Sequence, residues 1–292
     1  MERKREKKMG ICRRSVMPLW EEAGEDGLAD EMLAGWIYEV LEEKGGFLRI
    51  RTHYAYEGWM DAAEYAPVPA NEKSRRSMYM VGVHAADVLA GPKVQEKRLI
   101  TLFAGSLVSI CEESRTQDDW VRIALPDGRE GYTRTHFLMP RRDSDAFLES
   151  GRLLELPELD EDGEAALRQE IVDRALSFLG TQYRWGGKTA MGIDCSGLAF
   201  MSYLMCGFLI YRDARIVPGF PVHAISAEQA RKGDLFFFPG HVAVCLGEGR
   251  FVHATAYPGC GCVTMNSLKE TDPDYRKDLK ESLVAVGSIF RP

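Results

Sequence analysis

Residues 1–140 contain an internal repeat, which restricts this part of the chain to a duplicated unit of short strands. Residues 47–50 (Phe-Leu-Arg-Ile) are followed by residues 57–59 (Glu-Gly-Trp), and residues 120–123 (Trp-Val-Arg-Ile) are followed by residues 130–132 (Glu-Gly-Tyr). In both copies the interval from the Arg to the Glu is eight residues. Short strands separated by turn residues favour small β-barrels. Two copies are too few for a solenoid, which needs about three or more.

Changes in composition divide the chain into segments. Residues 66–78 combine prolines with charged residues, and residues 141–163 are acidic and contain proline, so both are typical of exposed connections. The predicted order is a basic tail (1–10), a first barrel (11–65), a linker (66–78), a second barrel (79–140), a connector (141–163) and a C-terminal domain (164–292).

The C-terminal domain has the pattern of helices followed by strands. Apolar residues recur at helical spacing from Leu167 to Leu179, and Gly180 supplies a stop. A second helix is predicted from Cys195 to about Phe208. Strands are then predicted at 235–238, 241–246, 250–254 and 283–290, with a hairpin turn at 247–249. Helices before an antiparallel sheet indicate an α+β fold.

Charge and hydropathy exclude several classes of partner. Lys and Arg number 37 against 44 Asp and Glu, a formal net charge of −7. Such a chain is a poor candidate for binding duplex nucleic acid or an anionic membrane. The uncharged run 195–211 only reaches the lower limit of a membrane span, about 17 residues, and its Ser and Gly residues favour a buried helix. The basic N-terminus lacks the apolar run of a signal peptide, about 7–15 residues. We therefore expect a cytoplasmic monomer without nucleic-acid or membrane partners.

The cysteine pattern does not indicate a disulfide scaffold or a metal site. There are seven cysteines, an odd number spread over a long chain. The pair Cys260-x-Cys262 lacks the second pair that zinc sites use. We predict no metal and no cofactor.

Cys195 is the candidate nucleophile because of its position. Two glycines and a polar loop precede it and an apolar helix follows, so the thiol is expected at a helix N-terminus. Unpaired N–H groups and the helix dipole at such a position favour the thiolate. A structural cysteine more often lies within a helix, as Cys206 is predicted to do.

Two of the six histidines lie on the predicted hairpin. If Leu246 pairs with Arg250, position 253 faces position 243, and His241 and His253 project from the same face. One imidazole could then act as a base for a thiol while the other orients it. The alternative is two solvent-facing histidines, and Cys195 favours the catalytic interpretation.

The combined motifs resemble the NlpC/P60 cysteine peptidases, which are similar to the papain-like core. The resemblance covers about residues 165–292. It implies that Cys195 is the nucleophile, His241 the base and His253 the orienting residue, and that the backbone N–H of Cys195 helps to hold the oxyanion. Residues 11–65 and 79–140 are similar to bacterial SH3 (SH3b) domains. The motifs of the peptidase resemblance are at residues 183–187, 194–197, 233–238, 241–244 and 251–254.

The order of two SH3b domains and an NlpC/P60 domain resembles the γ-D-glutamyl-L-diamino acid endopeptidases. This resemblance implies cleavage between D-Glu and a diamino acid in murein-derived tripeptides and tetrapeptides with a free N-terminal L-Ala. It implies that Tyr56, Asp194 and Ser196 bind the substrate amine, with Glu31 as a possible carboxylate partner. Residues 210–214 match the corresponding loop of that family only loosely.

Three alternatives remain open at this stage. The protein could be a wall-remodelling murein hydrolase, or a thiol acyltransferase or amidase on the same scaffold, since fold does not fix the acceptor. It could also be an SH3b-based wall-binding protein, although the intact Cys195, His241 and His253 argue against that. The diamino acid, diaminopimelate or Lys, is left open.

Overall fold

The chain folds into two compact units. The computed structural model describes residues 7–24, 26–68, 79–115, 118–153 and 157–291, with the side chains of 112–115 excluded. The first unit comprises Met1–Arg141 with Phe147–Ser150, and the second comprises Arg142–Ala146 with Gly151–Pro292. Most of the predicted basic tail and most of the predicted linker, residues 1–6 and 69–78, lie outside the described residues.

The first unit begins with a six-stranded antiparallel sheet. Its strand order is β1-β4-β5-β6-β2-β3. A single 3-10 turn, Ala62–Glu64, follows the last of these strands. The first strand begins at Lys8, inside the predicted tail, because residues 8–11 pair with the fourth strand. The strands are β1 (Lys8–Ile11), β2 (Val16–Trp20), β3 (Leu28–Leu33), β4 (Ile37–Lys44), β5 (Phe47–Thr52) and β6 (Glu57–Asp61).

A second sheet in the same unit repeats this topology. Its seven strands run in the order β13-β7-β10-β11-β12-β8-β9, which is the order of the first sheet with one strand added at the edge. Among the described residues, the strand pairings of neither sheet close it into a barrel, so the structure confirms two β-sheet modules but not the predicted closed barrels. The strands are β7 (Tyr79–Val81), β8 (Ala85–Leu89), β9 (Arg98–Phe103), β10 (Leu107–Arg115), β11 (Trp120–Ala124), β12 (Glu130–Arg134) and β13 (Leu138–Pro140).

The sequence repeat corresponds to one structural position in both sheets. Ile50 pairs with Gly58, and Ile123 pairs with Gly131. A Cβ on Gly131 would lie 2.5 Å from Cγ1 of Val88, and a Cβ on Gly58 would lie 3.1 Å from Cβ of Leu19. Glycine therefore recurs in the Glu-Gly-aromatic motif because a neighbouring strand packs against its backbone.

The two sheets contact each other through equivalent turns. The N–H of Leu107 donates to the carbonyl of Ala34 at 2.8 Å. The indole N–H of Trp36 donates to the carbonyl of Gly105 at 2.8 Å. Trp36 is fully buried at this junction, so its ring is removed from water while its N–H keeps a hydrogen-bond partner.

The second unit is an α+β domain, as predicted. Its main sheet has the antiparallel order β16-β21-β17-β18-β19-β20, and α3 packs against α2, β18 and β19. A two-stranded sheet, β14-β15, precedes α3. The strands are β14 (Lys188–Thr189), β15 (Gly192–Ile193), β16 (His223–Ile225), β17 (Leu235–Phe238), β18 (His241–Gly247), β19 (Arg250–Ala254), β20 (Val263–Ser267) and β21 (Ala285–Ser288). The α-helices among the described residues are α1 (Ala146–Ser150), α2 (Glu161–Leu176), α3 (Cys195–Leu204) and α4 (Lys277–Glu281), and further 3-10 turns lie at Thr135–Phe137 and Ala227–Gln229.

Several predicted elements of this domain are observed with altered ends. The predicted helix at Cys195 is observed, but it ends at Leu204 rather than Phe208. The predicted hairpin is also observed, but Arg250 pairs with Gly247 and not with Leu246 as expected, because a bulge between Cys245 and Gly247 takes up one residue of β18. No helix among the described residues is long and apolar enough to cross a membrane.

Replacing Gly131 with Ala should lower the free energy of unfolding by about 1–3 kcal/mol, the usual cost of overpacking. The new Cβ would lie 2.5 Å from Val88 and 2.9 Å from the carbonyl oxygen of Leu89. Gly58→Ala should cost less because its nearest neighbour, Leu19, is 3.1 Å away. Thermal unfolding of the two variants measures the difference. Wild-type melting of Gly131→Ala would show that the second sheet does not require this close approach.

Candidate active site

Cys195 is the first residue of α3, and the loop before it fixes that position. Asp194 is the N-cap, and its Oδ1 accepts a hydrogen bond from the N–H of Gly197 at 2.6 Å. A Cβ on Gly197 would lie 2.2 Å from the carbonyl oxygen of Gly187. The Gly-Gly and Cys-Ser-Gly motifs are thus required by the close approach of the loop to the first helical turn.

A buried ion pair holds the helix N-terminus. The guanidinium of Arg212 donates to Oδ1 and Oδ2 of Asp194 at 3.1 and 3.0 Å, and to Oγ of Ser196 at 2.7 Å. The N–H of Gly186 donates to Oδ2 of Asp194 at 2.8 Å. The side chains of Arg212 and Asp194 are 1% and 8% exposed, so this cluster is a buried, fully hydrogen-bonded pair.

This arrangement changes the role expected of Asp194. The family resemblance implied that Asp194 binds the substrate amine, and a free carboxylate there would balance the charge of an ammonium group. In the structure the guanidinium of Arg212 already balances that charge, and the carboxylate caps α3. Contact of Asp194 and Ser196 with substrate stays a prediction, whereas their contact with Arg212 is observed.

The two hairpin histidines meet as their spacing predicted. Val244 pairs with Val252 across the hairpin, which places His241 and His253 as diagonal neighbours on one face. Nε2 of His241 lies 2.7 Å from Nδ1 of His253. The backbone N–H of Val242, next to His241, interacts with the thiol of Cys195. The structure therefore places Cys195 beside the start of β18, where His241 lies, and places His241 against His253.

Burial sets the protonation of these groups. It raises the pKa of the Cys195 thiol to about 11, and the neighbouring Asp194 acts in the same direction. It lowers the pKa of His241 to about 3 and that of His253 to about 4. The sequence predicted a stabilised thiolate, but loss of water outweighs the N–H groups of the helix terminus. The resting site thus holds a neutral thiol and two neutral imidazoles at pH 7.

A small cleft lies beside the first turn of α3. Its wall includes Ser196 and Val242, the residues that follow Cys195 and His241 in the chain. Asp213 and Arg215 also line it, and their side chains are 40% and 65% exposed. Its remaining walls are mostly apolar, formed by Ala199, Ile210, Tyr211, Val217, Phe220, Val222, Leu235 and Phe237.

Tyr56 lies in the first unit, in the turn before β6. Its N–H donates to Oγ1 of Thr52 at 3.0 Å, and its ring stacks on Tyr54 with centroids 6.4 Å apart. The hydroxyl of Tyr54 donates to Oδ2 of the buried Asp30 at 2.5 Å. Glu31, on β3, is 5% exposed. The substrate contacts expected of Tyr56 and Glu31 stay predictions.

The second unit also contains a pair of close cysteines. The sulfurs of Cys260 and Cys262 are 3.6 Å apart. Among the residues that the structure describes, no three His, Cys, Asp or Glu side chains form a group that could hold a metal ion.

Two residues of the site were missed from the sequence. Arg212 lies in the segment that matched the expected family pattern only loosely, although a charged residue just after the long uncharged run was a usable signal. Asn266 lies on β20, and its Oδ1 is 2.9 Å from Nε2 of His253. Asn is depleted in strands, so its presence there suggests a specific partner.

A cysteine that begins a helix beside an imidazole pair on an antiparallel sheet defines the papain-like class of cysteine peptidases. The NlpC/P60 family model matches residues 180–274. A relative over nearly its whole length is dipeptidyl-peptidase 6 of Lysinibacillus sphaericus, 39% identical over 267 residues, or 90% of this chain and 92% of that protein. The chain therefore belongs to the NlpC/P60 family and is a cysteine peptidase.

Two further comparisons agree with this assignment. The γ-D-glutamyl-L-lysine dipeptidyl-peptidase of Bacillus cereus is 24% identical over 244 residues, or 78% of this chain and 67% of that protein. The crystal structure of an NlpC/P60 family protein from Bacillus cereus superposes with a TM-score of 0.70 at 18% identity, covering 95% of this chain and 98% of that one. The second comparison shows that the fold is shared.

Alkylation of Cys195 by iodoacetamide should accelerate about tenfold per pH unit between pH 6 and pH 9, because only the thiolate reacts. The raised pKa of this thiol means that its ionised fraction keeps increasing throughout that range. Peptide-level mass spectrometry measures the rate at Cys195, and the exposed Cys260 is the internal control for reagent access. A rate independent of pH would contradict this prediction and indicate a preformed thiolate–imidazolium pair.

Arg212→Leu should lower the free energy of unfolding by about 3–5 kcal/mol, because it leaves a buried carboxylate without its counterion. The double variant Asp194→Asn/Arg212→Leu should lose less than Arg212→Leu alone. Lys277→Leu breaks an exposed pair with Glu281 and should cost about 0–1 kcal/mol. Denaturant unfolding measures all three variants. Equal losses for Arg212→Leu and Lys277→Leu would show that the buried pair does not stabilise this domain.

Proposed function

We propose that the protein hydrolyses the bond between the γ-carboxyl of D-Glu and a diamino acid in murein-derived peptides with a free N-terminal L-Ala. The observation that carries this proposal is the array of Cys195, His241 and His253 at the helix N-terminus, which can perform acyl transfer from an amide. The substrate class is supported by the relative that matches nearly the whole chain, whose name is that of a dipeptidyl-peptidase.

In the proposed reaction Cys195 is the nucleophile and His241 is the base. The imidazole takes the thiol proton as the sulfur bonds to the carbonyl carbon, so no resting thiolate is needed. The backbone N–H of Cys195 donates to the oxyanion of the tetrahedral intermediate. The intermediate collapses by expelling the amine of the diamino acid, which receives the proton from His241. Water then hydrolyses the thioester by the same steps and releases L-Ala-D-Glu.

The substrate amine is the second element of the proposal. We assign its binding to Ser196 and Asp194, which Arg212 holds in place, and the part that the family resemblance gives to Tyr56 stays a prediction. Because Arg212 neutralises the carboxylate, the ammonium group would gain oxygen acceptors rather than an unpaired charge. An N-acetyl group would remove the charge and donors of the amine and add bulk.

The N-terminal unit completes the proposed domain organisation. We propose that each of its two sheets is an SH3b module, before the peptidase domain at 164–292. The first module begins at Lys8, three residues before the predicted start of its 11–65 range, and the second covers 79–140. The repeated strand order and the equivalent Ile–Gly pairs support this duplication. The cytoplasmic location and the monomeric state stay predictions.

L-Ala-γ-D-Glu-meso-diaminopimelate should be hydrolysed to L-Ala-D-Glu, and its N-acetyl form should be hydrolysed at least about tenfold more slowly, since loss of charge-assisted hydrogen bonds costs about 1.5–3 kcal/mol each. Mass spectrometry follows both reactions at equal concentration. Cys195→Ala should abolish turnover, whereas the matched control Cys260→Ala should retain it because that thiol is exposed.

Other outcomes of this experiment would support the alternatives. Equal rates on both peptides, or good cleavage of intact cross-linked murein, would indicate a wall-remodelling hydrolase. Transfer of the acyl group to an added amine in preference to water would indicate an acyltransferase. Turnover by a folded Cys195→Ala variant would exclude this residue as the nucleophile.

A further inference from the structure

A line of polar side chains continues beyond the two histidines. His241, His253 and Asn266 lie on β18, β19 and β20, which are neighbouring strands of one sheet. Nε2 of His241 is 2.7 Å from Nδ1 of His253, and Nε2 of His253 is 2.9 Å from Oδ1 of Asn266. Nδ2 of Asn266 donates to the backbone carbonyl of Asp274 at 3.0 Å.

The segment that binds the side chain of Asn266 is held in place by further hydrogen bonds. The carbonyl of Asp274 also accepts a hydrogen bond from the N–H of Ser267 at 3.1 Å. The carboxylate of Asp274 accepts from Nη2 of Arg250 at 2.9 Å. The segment that receives the amide of Asn266 is therefore anchored to β19 and β20 by its backbone and its side chain.

These contacts determine where the protons lie. A backbone carbonyl only accepts, so the NH2 group of Asn266 must face Asp274 and its oxygen must face His253. That oxygen also only accepts, so His253 carries its proton on Nε2. A neutral imidazole has a single N–H, so Nδ1 of His253 must accept from Nε2–H of His241. The remaining nitrogen of His241, Nδ1, then has a free lone pair.

The imidazole rings of His241 and His253 are neutral at pH 7. Burial lowers the pKa of both His241 and His253 well below 7. The charged groups that act on the two rings are Arg276 and Asp278, whose effects on their pKa values are opposite in sign. Arg276 and Asp278 also form an ion pair with each other at 2.6 Å, so neither acts as an isolated charge.

We propose that Asn266 is a positioning residue that sets the tautomer of both histidines, so that the proton of Cys195 has one available acceptor, Nδ1 of His241. This inference rests on the function proposed above for its kinetic consequences only. Two imidazoles can form their mutual hydrogen bond in either direction. In the reverse direction His241 carries its proton on Nδ1 and cannot take one from the thiol. Asn266 makes the two directions unequal because its oxygen can only accept a hydrogen bond. It therefore favours the arrangement in which His253 is protonated on Nε2 and accepts from His241 through Nδ1.

Nitrogen-15 NMR of histidine-labelled protein tests the tautomers directly, without any substrate. In a Cys195→Ala background, which prevents ion-pair formation, both His241 and His253 should show a protonated Nε2 and a bare Nδ1. Asn266→Asp should keep His253 protonated on Nε2, because a carboxylate also only accepts. Asn266→Leu should give His253 a substantial Nδ1–H population. A protonated Nδ1 with Asn266 present, or no change in the Leu variant, would overturn the proposal.

Kinetics of the enzyme with Cys195 intact provide the second test. Asn266→Leu should lower kcat by about 10- to 100-fold, a part of the ~10²–10⁴-fold that a positioned base contributes. KM should change little, since Asn266 is assigned no contact with substrate. Met265→Leu, on the same strand with an exposed side chain, is the matched control and should keep wild-type kcat. A folded Asn266→Leu enzyme with unchanged kcat would overturn the proposal.

The Asn266→Asp variant separates positioning from mere structural support. It keeps the acceptor, so at high pH it should be faster than Asn266→Leu. Its negative charge raises the pKa of His253, and the protonated ring would donate from Nδ1 and reverse the bond to His241. Activity of Asn266→Asp should therefore be lost at a higher pH than in the wild type as the pH falls. If Asn266→Asp and the wild type lost activity at the same pH on the acidic side of the pH–rate profile, this assignment would be contradicted.

If the murein peptide were not cleaved at all, the proposed function would fail while the NMR result could still stand.

Discussion

The buried pair of Arg212 and Asp194 is the interaction on which the active site depends. It joins three segments. The glycine loop at residues 186–187 and the first turn of α3 both hydrogen-bond to the pair, and the chain that follows α3 supplies Arg212. Breaking such a pair would leave a charge buried without compensation, so the segments are held together strongly. The position of Cys195 follows from this cluster, since the residue that pairs with Arg212 is also the cap of its helix.

The histidine side of the active site contains buried polar groups that are neutral, in contrast to the ion pair of Arg212 and Asp194. His241, His253 and Asn266 are neutral and satisfy one another in sequence, ending on a backbone carbonyl. Neutral partners avoid the desolvation cost of a second charge close to the Arg212 pair. The site thus combines one fixed ion pair, which positions the nucleophile, with one neutral hydrogen-bond chain, which orients the base. The thiol between them is protonated at rest because burial raises its pKa, and the neighbouring Asp194 acts in the same direction.

The sequence repeat of the N-terminal unit predicts its duplication but not the closure of its sheets. The common interval between Arg and Glu predicted two copies of one unit, and the two sheets have the same strand order with Ile opposite Gly in each. Alternation along strands is a local property, so the sequence carries it directly. Barrel closure depends on how far each sheet twists and which edges meet, which no local pattern specifies. The junction between Trp36 and Gly105 was likewise not predictable, because it joins residues from different copies.

The sequence by itself determined the helix that begins at Cys195 and the hairpin that places His241 and His253 on one face. Both follow from short-range rules, namely capping residues at a helix start and side chains that alternate along strands. Only the tertiary structure decided that Arg212 neutralises Asp194 and that Asn266 ends the histidine chain, because these partners come from separate elements. It also decided the protonation of Cys195. The helix terminus is a local feature that lowers a thiol pKa, whereas desolvation depends on everything packed around the sulfur, and here desolvation is the larger effect.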